Sequence, residues 1–198
     1  MSFADLRPCI SGRGIPLWKI IFGISFLLNA CFIEANDEDK SPIVSTEFLN
    51  ACTFGDVKQV EEALEENRSW AHGRSSQGET CLHVAGIQGQ AAITKLVLEK
   101  GGDPNVRTTF PQGLRMHPLS WNAYAGHVET AKVLLENGAS VNLDFDSMGQ
   151  PQAKVTVLDI VTQILDTDSN ADVEKFVGMK ELLLKHGAKL YSELEQEL

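Results

Sequence analysis

The chain has 198 residues, 43% of them hydrophobic, and a formal net charge of −10. That length suits one domain with a buried core, and the charge disfavours unspecific attraction to nucleic acid or to anionic lipid. The plain consequence of the charge is solubility, because the acid is spread along the chain with only short clusters at Asp37-Glu38-Asp39 and from Glu193 to Glu197.

The first element differs in kind from the rest. Arg7, Arg13 and Lys19 precede an apolar run from Ile20 to Ile33, interrupted only by Gly23, Ser25 and Asn29, and an acidic stretch follows. A basic flank, a short apolar run and a small residue such as Ala35 predict a signal peptide over 1–35. The run falls short of the ~18–20 apolar residues that span a bilayer comfortably. Retained as a signal anchor, its charge asymmetry would leave the N-terminus in the cytosol and the body of the chain outside it. Leu28-Asn29-Ala30-Cys31 resembles a bacterial lipobox, which would put a lipid on Cys31. An acidic linker, 36–44, leads to the body.

There, a phrase returns with changes: Thr80-Cys81-Leu82-His83-Val84-Ala85, His117-Pro118-Leu119-Ser120-Trp121-Asn122, and Thr156-Val157-Leu158-Asp159-Ile160-Val161. A second phrase, Gly126-His127-Val128-Glu129-Thr130-Ala131-Lys132-Val133-Leu134-Leu135-Glu136-Asn137-Gly138-Ala139, follows the middle copy and is echoed from Gly89 to Gly102. Each copy reads as a helix, a glycine turn and a second helix with apolar residues at three-to-four spacing, as at Ile93, Leu96 and Val97. This pairing resembles the ankyrin repeat, whose signature is T-P-L-H-x-A.

The resemblance implies an all-α fold, a solenoid of stacked helix-turn-helix units with projecting hairpin loops, and a protein-binding rather than catalytic role. Four units are expected, at about 45–76, 77–112, 113–150 and 151–190, with an acidic tail at 191–198. The first is degenerate, as terminal repeats commonly are. Thr80 stands where a hydroxyl caps a helix, and His83, as in the family, bridges neighbouring repeats. The third unit puts His117 at the threonine position and Ser120 at the histidine position, so its capping bonds are expected to differ.

Chemistry finds little support. Cys81-x-His83 is the one close Cys/His pair, without a partner pair at zinc spacing, so neither a metal nor a cofactor is expected. Two positions apart on a helix, these side chains do not face each other as nucleophile and base. No G-x-S-x-G, P-loop or dinucleotide motif occurs, and no catalytic residue is assigned. Asp144/Asp146 and Asp166/Asp168 read as solvated loop acids. Cys52 and Cys81 read as free small core residues, with a single bridge between them as the alternative. Asn67-Arg68-Ser69 is a glycosylation sequon in an expected surface turn, relevant if the segment enters a eukaryotic secretory path.

Partner-binding residues are expected at the ends of the first helices and in the long loops. In the family these variable positions line the concave face. Aligning the repeats brings Phe54, Ile87, Tyr124 and Ile164 there, extended by Phe110, Met116 and Phe145 from the loops, while Trp121 is assigned to the inter-repeat core. Large aromatics amid polar residues are what an interface core uses. The expected partner is an unidentified protein, with no nucleic acid, and with the membrane met only through the N-terminal segment. The secretory pathway is the expected location. The alternatives are a membrane-tethered or lipid-anchored scaffold, and an accessory factor or weak thiol enzyme of a periplasmic or luminal compartment, using Cys81.

Overall fold

A computed structural model describes residues 41–109, 115–147, 150–167 and 172–197. The leader, Cys31 and Phe110 lie outside the described residues.

Four helix pairs follow one another: α1 (Thr46–Phe54) with α2 (Val57–Glu66), α3 (Cys81–Gln88) with α4 (Ala91–Glu99), α5 (Pro118–Ala125) with α6 (Val128–Glu136), and α7 (Val157–Thr167) with α8 (Val173–Lys185). A 3₁₀ turn, Arg68–His72, follows α2, and a short α9 (Tyr191–Glu195) follows the last pair. First helices pack on first helices (α1, α3, α5, α7) and second helices on second helices (α2, α4, α6, α8), giving two layers. A hairpin of β1 (Phe145–Ser147) and antiparallel β2 (Gln150–Val155) precedes α7.

The turns between paired helices follow from their sequence. Gly55, Gly89 and Gly126 end α1, α3 and α5 in the left-handed region, at φ of 80, 72 and 71°. A side chain at any of these sites would also collide with the next unit, a Cβ on Gly55 lying 2.5 Å from Gln90 Oε1. A Cβ on Gly89 would lie 2.6 Å from His127 Nδ1, and one on Gly126 2.7 Å from Lys175 Cε. Both the left-handed backbone and the clash oppose alanine. Gly89→Ala is therefore expected to lower the unfolding free energy by about 1–2 kcal/mol, measured by urea denaturation.

Apolar burial forms two adjoining cores. One gathers Phe48, Val60, Leu64, Leu82, Ile93 and Val97, and the other Leu119, Leu134, Leu158, Met179 and Leu183; Leu98 packs against both. Trp121 stands edge-on to His83, ring centroids 5.7 Å apart, in keeping with an inter-repeat position.

Cys52 of α1 and Cys81 of α3 are joined by a disulfide, with Cα atoms 5.6 Å apart and both residues 0% exposed. This corrects the reading of the two as free core residues. Cysteine spacing shows neither which helix faces meet nor how far apart the Cα atoms fall. The bridge also consumes the thiol that a Cys81 enzyme would need, since the thiolate is the nucleophile.

Candidate partner-binding surface

The recurring phrase is spent on holding the stack together, and it does so in three different ways. In the second unit His83 Nδ1 accepts from Thr80 N–H (3.1 Å) and lies 2.9 Å from Thr80 Oγ1. That fixes the proton on Nε2, which donates to Met116 O of the next unit (3.1 Å). Complete burial is the main cause that drives the His83 pKa down to about 3, so the ring is neutral,.

In the third unit His117 makes no cap to its own helix. Its Nδ1 lies 3.2 Å from Asn105 O and its Nε2 3.3 Å from Asp144 O, so the ring spans the loops on either side. Burial, foremost, lowers its pKa as well. In the fourth unit an acid replaces the histidine: Asp159 Oδ2 accepts from Thr156 N–H (2.8 Å) and Tyr191 N–H (2.9 Å), and Thr156 Oγ1 donates to Lys189 O (2.8 Å).

Two asparagines repeat an arrangement that the phrase-based reading passed over. Asn105 donates through Nδ2 to Gly138 O (3.0 Å) and accepts at Oδ1 from Ser140 N–H (2.7 Å). Asn142 does the same with Gly187 O (2.9 Å) and Lys189 N–H (2.8 Å). Each thus uses both ends of its amide to tie its loop to the next helix end. The signal was present in the sequence as matched asparagines just after Gly-Asp-Pro and Ala-Ser-Val.

A family model described as ankyrin repeats (3 copies) matches residues 48–145. The chain belongs to the ankyrin-repeat family. The match takes in the first three helix pairs and ends at the start of the hairpin, while the fourth pair of this ankyrin stack continues beyond it. Ankyrin repeats are generally protein–protein interaction modules, so the functional question concerns what the framework leaves exposed.

The expected binding residues divide sharply. Phe54 stands at the end of α1, 80% exposed. Ile87 and Tyr124 are half-buried at the ends of α3 and α5. Ile164 is partly buried and packs on the second core. Phe145, expected among the exposed loop aromatics, is 2% exposed, its ring edge-on to His117 with centroids 6.3 Å apart. Met116 is buried too, and its carbonyl is the one that holds His83.

Nor do the helix-end residues form one row. Phe54 immediately precedes its turn glycine, whereas Ile87 and Tyr124 stand two residues before theirs. One step along a helix rotates a side chain by roughly 100°. Thr53 is therefore the register partner of Ile87 and Tyr124, and Phe54 points elsewhere.

The hairpin acids Asp144 and Asp146 are not simply solvated. Asp144 pairs with Arg107 Nη2 (3.3 Å) and Lys154 Nζ (3.5 Å), and Lys154 reaches Asp146 at 2.7 Å. The hydrogen bond from Lys154 holds the Asp146 carboxyl below the usual range, and the same bond raises Lys154. Hairpin register brings this about, because Asp146 lies opposite Lys154.

Proposed function

We propose that this ankyrin stack is a non-catalytic interaction module, carried out of the cytosol by its leader, which grips a partner protein through its helix ends and adjacent loops. The observation that carries the reading is the contrast between framework and surface. Thr80, His83, His117 and Thr156 are buried and committed to bonds within the stack, while the Phe54 ring stands almost wholly in solvent. An aromatic side chain of that size offers a large area to bury on binding. Ile87 and Tyr124 supply the neighbouring row, and Phe110 adds a loop aromatic in the sequence reading.

The buried disulfide supports delivery to an oxidising compartment, since structural bridges persist there and are rare in the cytosol. Truncating an interface anchor typically costs more than ~1 kcal/mol of binding. Phe54→Ala and Tyr124→Ala are each expected to weaken a captured partner by about fivefold or more. Co-precipitation from the secretory fraction followed by titration checks this; unchanged affinity in both variants would remove these residues from the site.

A further inference from the structure

We infer that Asn67 is an acceptor for an N-linked glycan, attached as the chain enters an oxidising secretory compartment; this rests on the reading of the leader as a delivery signal. The motif is Asn67-Arg68-Ser69, with a middle residue other than proline,. All three residues are exposed. They stand where α2 ends and the chain turns into the 3₁₀ segment, Asn67 N–H still bonding to Ala63 O at 2.9 Å.

The side chains are set in a specific arrangement. Ser69 Oγ donates to Asn67 Oδ1 at 2.6 Å, and Ser69 N–H donates to the same oxygen at 3.2 Å. The hydroxyl that the motif demands two positions on therefore sits directly on the carboxamide. Among the described residues Nδ2 makes no hydrogen bond. In the transfer, Nδ2 displaces a lipid diphosphate from the anomeric carbon of an oligosaccharide donor. A C–N bond forms, the C–O bond to phosphate breaks, the electron pair leaves with the lipid diphosphate, and one Nδ2 proton passes to a base of the transferring enzyme.

Two independent observations agree with this chemistry. The Cys52–Cys81 bridge, which begins in the same helix pair, fits the same oxidising environment,. The acceptor also stands at the far end of α2 from Phe54, about 15 Å along a ten-residue helix, so a bulky glycan leaves the candidate binding end open,.

The test is expression of the full chain, with its own leader, in cultured eukaryotic cells, followed by intact mass of the product from the secretory and cytosolic fractions. The expected result is a glycan mass on the secretory product. Peptide N-glycosidase removes it and converts the side chain at 67 to a carboxylate, and Asn67→Gln and Ser69→Ala lack it. Asn67 Oδ1 also caps the 3₁₀ turn through Ser69 N–H, so Ser69→Ala, which keeps that bond, is the control for folding. Ser69→Thr retains the glycan. A bare product in the secretory fraction would overturn the glycan and leave delivery standing. A bare product confined to the cytosol would overturn both.

Discussion

Replacing Cys52 and Cys81 together by alanine lowers the unfolding free energy by about 3–4 kcal/mol, as loop-closure entropy gives for a bridge between residues 29 positions apart,. The bridge ties α1 to α3, the element on which the first unit chiefly stacks. A terminal repeat has a neighbour on one side only, so the loss falls mainly on the first helix pair. Urea unfolding of oxidised protein, reduced protein and the double-alanine variant checks this. The reduced protein and the variant are expected to share a lower midpoint, with hydrogen exchange in α1 and α2 quickened first. Coincident curves for oxidised and reduced protein would contradict the role assigned to the bridge.

Acid is expected to weaken the stack well above the usual carboxylate range. His83 titrates near 3 in the folded protein, against 6.5 for the unperturbed side chain, and burial also lowers His117 and His127. The folded state therefore resists protons that the unfolded chain accepts. The stability tied to neutral His83 is complete above pH 6.5 and drains away as pH falls toward 3,. Across that window it amounts to something on the order of 4–5 kcal/mol. Melting temperature is expected to stay level from about pH 8 to 7 and to fall steadily below 6.5. His83→Gln starts lower, having lost a ring that bridges Thr80 and Met116, and shows a shallower decline. A flat profile down to about pH 4.5 would contradict the account.

Much of this fold was legible because repetition exposes it. Leu82 recurs as Leu119 and Leu158 and Gly89 as Gly126, while the Thr80 and His83 positions change with a visible structural counterpart: His117 spans the flanking loops, and Asp159 caps as an acid. What stayed hidden depends on contacts between units. The Cys52–Cys81 bridge needs two helix faces to meet, which residue spacing does not encode. Phe145 reads as a loop aromatic until hairpin pairing turns its ring onto His117. Asp144 and Asp146 read as solvated until the same register brings Lys154 across from them. The offset between Phe54 and Ile87 was present in the sequence, in their distances from Gly55 and Gly89. It carries weight only once both glycines are seen to end their helices.

The division of labour between a buried framework and an exposed binding end is the central claim, and one paired measurement tests it. Partner affinity, taken well below the melting transition, and melting temperature are determined for the wild type, Phe54→Ala and His83→Gln. The account predicts opposite signatures: Phe54→Ala binds more weakly with an unchanged melting temperature, and His83→Gln melts earlier while holding its partner as before. Loss of binding in His83→Gln with melting unchanged, together with full binding in Phe54→Ala, would reverse the assignment.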